Sequence, residues 1–282
     1  MFRPLLSLLA ASGATVVGLV AAWIGIGIHQ RATTGLVADF VGSGLVGIGG
    51  LLLAAAGATV ALHWLGIFTV GAVHALLGAL AVLLAPTFGM FSGTLNPVLE
   101  ISEMLGGVSS DFGAPSAIFY FSGTALVLGT FLAAAALGVR SRLSSRSATK
   151  RSQVVAAIVS GPALIGAVLL VVFAGGWFGQ QYVTLFQYDL VSAVLLVGAT
   201  ALAGVAGLCL RWSSRGAILS GLVVAIAGTV AILGDRMLPA AVTAQLPVAY
   251  GELVLLGFTF LGVAIGGAVR SRTAVPGHTL AL

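Results

Sequence analysis

Few residues in this chain are able to do chemistry: four histidines, one cysteine and seven acidic residues stand among 282. His74 lies deepest within an apolar run, and an ionisable side chain at such depth is a functional candidate, for a proton or solute contact, set against a hydrogen bond to a neighbouring helix. A membrane redox protein or enzyme using His74 is the third-ranked reading. Haem would need a second ligand at equal depth, and His63, eleven residues away, stands about 16 Å off along a helix. Ser92-Gly93 and Ser122-Gly123 are too short to be motifs, and a Ser–His dyad would need the histidine at the depth of the serine. No HExxH, P-loop or strand-borne GxGxxG is present. No catalytic residue, metal ligand or cofactor is therefore assigned, and the chain is not expected to be an enzyme.

Asp39, Asp189 and Glu252 each open an apolar run from the same side. A carboxylate there caps orphan N–H groups and meets the positive end of the helix dipole. Asp39 and Asp189 are also a candidate pair flanking a solute or cation entrance. Glu100 and Glu103 are candidate outer-loop contacts.

The elements that must position these residues are membrane helices. Hydrophobic residues make up 59% of the chain and charged residues 7%, against roughly 25% charged in a soluble domain. Apolar runs of about 20 residues match a hydrocarbon core about 30 Å thick, and no period-2 alternation suggests a barrel. The reading is an all-α polytopic membrane protein with spans at about 5–28, 38–60, 65–85, 117–139, 153–175, 189–210, 216–234 and 251–269. The stretch 38–85 is one apolar run that has to be cut at His63-Trp64. The N-terminal stretch has signal-like features but runs on to Ile28, beyond a signal core of about 7–15 residues, so it is read as the first span. Cys209 is read as a small apolar residue within span six.

Ten of twelve basic residues fall on one side of this layout: Arg3, Arg140, Arg142, Arg146, Lys150, Arg151, Arg211, Arg215, Arg270 and Arg272. The positive-inside rule makes that side cytoplasmic, with both termini there and the protein in the cell membrane. The expected partners are the lipid bilayer and a membrane protein or a second copy of this chain. Nucleic acid is not expected, since no basic patch is interleaved with aromatics in a soluble domain.

Sliding the chain on itself by 150 positions gives an ungapped match over about 30–84, with identities at 15 of 55 positions, including Asp39/Asp189, Gly57/Gly207, Gly71/Gly221 and Gly78/Gly228. Span one joins at an offset of 148, and VRSR at 139–142 recurs at 269–272, an offset of 130. The fold expectation is therefore eight transmembrane helices as two tandem parallel four-helix repeats, related by an axis along the membrane normal. The first repeat covers 1–142 and carries an outer-loop insertion at about 90–112. A basic linker at 143–152, a second repeat at 153–272 and a tail at 273–282 complete the chain. Within the insertion, Asn96-Pro97 signals a helix start, and Val98, Ile101 and Leu105 oppose Glu100 and Glu103, so a short interfacial helix is expected. A duplicated bundle without a catalytic motif points to a small-solute transporter or permease, with a non-catalytic subunit of a membrane complex as the alternative.

Overall fold

A computed structural model describes residues 2–34, 40–83, 110–144, 149–178, 189–233 and 251–273. These form α1 (Phe2–Thr34), α2 (Phe40–Ala58), α3 (Trp64–Leu83), α4 (Ser110–Phe121), α5 (Thr124–Ser144), α6 (Lys150–Leu170), α7 (Leu190–Cys209), α8 (Arg215–Leu233) and α9 (Glu252–Thr273). All but α4 are long and apolar enough to cross a membrane, giving eight candidate spans. Helices satisfy every backbone donor and acceptor internally, which is what hydrocarbon requires.

The run at 38–85 divides where the sequence is cut. After α2 the chain tightens into a 3-10 turn, Thr59–Ala61. The Thr59 carbonyl accepts from the N–H groups of Leu62 and His63 at 2.9 and 3.2 Å, and the Leu65 N–H donates to His63 Nδ1 at 3.2 Å. The α7–α8 turn repeats the device 150 positions later, where the Arg215 N–H donates to Ser213 Oγ at 3.3 Å. Arginines gather around the first turn. Arg270 donates to the Val60 carbonyl at 2.8 Å, and the Arg140 guanidinium lies 4.5 Å from the Trp64 ring centroid.

The fourth span differs from the expected continuous helix at 117–139. The chain breaks at Ser122-Gly123, so residues 117–121 belong to the separate helix α4 and the spanning helix begins at Thr124. Gly123 has φ of 78°, a left-handed conformation that ends one helix and lets the next start. Helix α6 is also irregular, since it runs into a π turn at Val171–Gly175.

In the packing, α1 lies on α2 and α3, α3 on α5, and α2 on α9; α6 lies on α7 and α8, α8 on α9, and α7 on α5. The windows of α5 and α9 are 72% buried, against 33–44% in the other six, so these two are the central pair. They meet at Phe131 and Phe260, whose ring centroids lie 4.6 Å apart. Without a hydrophobic drive between helices in lipid, close approach depends on small residues. Gly71 packs on Gly129 and Ala133, and Gly221 on Gly257 and Leu261. Gly138 packs on Gly207 and Leu208, and Gly266 on Ala58.

Candidate functional site

At the ends of the central helices remote from the arginines, two glycines take left-handed conformations, Gly123 with φ of 78° and Gly251 with φ of 64°. Each is followed by the first residue of a central helix, Thr124 of α5 and Glu252 of α9. A Cβ on Gly123 would lie 2.9 Å from Leu196, and one on Gly251 would lie 3.0 Å from Val46. The Gly251 carbonyl accepts from the Val254 N–H at 3.0 Å and so starts α9.

These turns bring three polar side chains together. Ser122 Oγ donates to Glu252 Oε2 at 2.9 Å, Thr124 Oγ1 donates to the same oxygen, and the two hydroxyl oxygens lie 2.8 Å apart. The Thr124 N–H donates to Ser122 Oγ at 3.3 Å, fixing the serine. Burial is complete, with Ser122 and Thr124 at 0% exposure and Glu252 at 1%. Glu252 Oε1 is buried with no hydrogen-bond partner. A buried polar atom left unpaired costs roughly 1–3 kcal/mol, more when charged, so this oxygen calls for an account.

Glu252 therefore departs from the cap expected of it. Gly251 takes the capping position and Glu252 already lies inside the helix, so its carboxylate turns across to α5 instead of back onto its own N–H groups. The Ser122 carbonyl lies against Gly175 of the π turn, in space that any side chain at 175 would occupy. A π turn is often found beside functional sites. Two residues from Glu252, Val254 lines a cleft of about 240 Å³ between α2, α8 and α9, with Ser43, Thr229 and Ile232 also on its wall.

His74 is buried and lies one short contact from this region. Its Nδ1 is 3.4 Å from the Tyr120 hydroxyl, the two rings stack, and Phe119 meets it edge-on. Phe119 also packs against Trp23, whose buried Nε1 has no partner. The described histidines at other depths are His63 in the basic turn and His29, which faces Ser43 at 3.3 Å. Among the described residues no three metal-ligating side chains cluster.

Asp189 caps α7, accepting from the N–H groups of Val191 and Ser192 and from the Ser192 hydroxyl. Asp39, Glu100 and Glu103 lie outside the described residues, as does the segment expected to form the interfacial helix. The structure thus joins Glu252, expected as a cap, to Ser122, of a pair too short to be a motif, and to Thr124, which the sequence does not single out. A signal was available. SGTALVLG at 122–129 and YGELVLLG at 250–257 align at an offset of 128, with glycines in step at 123/251 and 129/257. The VRSR match at 130 is two positions out of that register. In comparisons with known proteins, the chain matches no family model, no curated protein and no solved structure.

Proposed function

We propose that this chain is a small-solute carrier of the cell membrane, built from two four-helix units at 1–142 and 153–272, with the basic side cytoplasmic. Exchanging α1, α2, α3 and α5 for α6, α7, α8 and α9 leaves the set of main packed helix pairs unchanged, which supports a duplicated bundle. Contacts between α2 and α9 rise together in sequence, Gly50 on Val254 and Gly57 on Val263, as do those between α5 and α7, Gly123 on Leu196 and Gly138 on Leu208. This favours copies of the same orientation about an axis between α5 and α9.

The observation that carries the reading is Glu252, a carboxylate fully buried beside that axis with one oxygen unpaired. Ionisable groups in such places are costly and mark ion and substrate pathways. In this reading Glu252 leads, His74 and Asp189 are secondary contacts, and Asp39 is the counterpart of Asp189 at the mouth. The test is uptake by proteoliposomes of a panel of amino acids, sugars, polyamines and nucleobases under an imposed pH gradient and membrane potential. Uptake above protein-free vesicles that is lost in Glu252→Gln is the expected result. No uptake of any compound, together with stable co-purification of a second membrane protein, would favour the subunit reading instead.

A further inference from the structure

The hydroxyl pair at Glu252 is arranged to serve two states of the carboxyl group. When the group is ionised, Ser122 and Thr124 both donate to Oε2, as the observed contacts allow. When it is protonated on Oε2, that O–H donates to Thr124 Oγ1, and the threonine hydrogen turns to Ser122 Oγ, 2.8 Å away. Hydroxyl hydrogens rotate, so the change needs no movement of heavy atoms. A group with no use for a second state would be served better by a fixed donor on each oxygen, yet Oε1 is left bare.

Among the described residues no fixed charge stands beside the carboxyl group to lock one state. Among the described residues α2 carries no charged side chain. Arg140 and Arg142 of α5, Arg215 of α8 and Arg270 of α9 lie about 20 Å or more away along their helices. Other titratable groups on the described elements are His29 of α1, beside Ser43, and His74 of α3, beside Tyr120 of α4. Asp189 begins α7 two turns outward from Leu196, the neighbour of Gly123, and its oxygens are taken by its own helix.

We infer that Glu252, Thr124 and Ser122 form a proton-exchange site, in which the carboxyl O–H bond breaks to give its proton to a water molecule and re-forms in reverse. Resting on the carrier reading, that proton is the ion whose movement drives the solute.

Infrared difference spectra of the full chain in liposomes, recorded from mildly acidic to mildly alkaline pH, test the exchange without any solute. The expected result is a protonated-carboxyl C=O band that disappears as pH rises and is missing in Glu252→Gln. Thr124→Val, which keeps the carboxyl and removes one hydroxyl, shifts the pH at which the band is lost, so the test survives if the glutamine variant fails to fold. A band unchanged at every pH identifies a permanently neutral structural acid and overturns the inference. Absence of the band at every pH, or its loss on adding sodium at fixed pH, overturns it in favour of a permanent anion or a sodium site. A titrating band with no solute uptake upholds the exchange and removes only the carrier reading.

Discussion

Thr124 and Glu252 are the first residues of the two central helices, each set there by a left-handed glycine, and the threonine hydroxyl donates to the glutamate carboxylate across the gap between them. The most buried part of the bundle is thus closed at one end by a bond between residues 128 positions apart.

Removing that bond should be costly only while the carboxylate is present. Thr124→Val leaves a buried acid short of a donor, at about 1–3 kcal/mol. In a Glu252→Gln background the same substitution should cost less, and the coupling of the two is measured by a double-mutant cycle on apparent melting temperature in detergent. Simple additivity would show that the contact contributes nothing.

Substituting the two glycines should strain the turns. Gly123→Ala and Gly251→Ala each place a Cβ in left-handed geometry, at about 1–2 kcal/mol, and bring it to 2.9 Å from Leu196 or 3.0 Å from Val46. Lower melting temperature for both, and little change for Gly13→Ala, where a Cβ meets open space, is the expected pattern.

The basic turn should respond to acid. His63, between α2 and α3, is held below the ordinary histidine range by burial and then by the Arg270 charge. The unfolded chain therefore takes up the proton first on acidification, so the stability this residue provides is complete above about pH 6.5 and falls as pH drops toward the lower folded value. Protonation of Nδ1 also removes the acceptor for the Leu65 N–H. His63→Ser installs the residue found at the matching position 213 and should keep the cap while flattening this pH dependence, read from melting temperature between neutral and mildly acidic buffer.

Sidedness is checked by labelling. With Cys209 replaced by serine, a cysteine at exposed Lys150 should react with a membrane-impermeant maleimide only after cells are opened, because the basic side is expected to be cytoplasmic. Labelling of intact cells would reverse the topology.

The spans were legible because their signal is local: a run of apolar residues reports burial in lipid wherever the chain later goes. The cut at His63-Trp64 was legible for a different reason, since 38–85 is a single apolar run too long for one span, and structure and sequence agree on it. Glu252 was not. Its neighbours in sequence mark it as a helix-opening acid like Asp189, and Asp189 is indeed a cap. Only the contact with Ser122 and Thr124 separates the two, and contacts 128–130 positions apart leave no periodic trace. The repeated VRSR, a charge signal set by the membrane surface, drew the register two positions away from the glycines that would have aligned Thr124 with Glu252.

The Ser122–Thr124 turn and Glu252 also belong to different stretches of the chain, each tied firmly to its own neighbours, Leu196 and Gly175 on one side and Val46 and Ile232 on the other. Sliding or tilting of either stretch against the other changes the donor–acceptor separation at this point. The contact is therefore a gauge of relative displacement written in a titratable bond. If the carboxyl exchanges its proton as inferred above, then by linkage whatever shape of the bundle loosens the contact also changes how readily that proton is held, and the pH in turn biases which shape prevails.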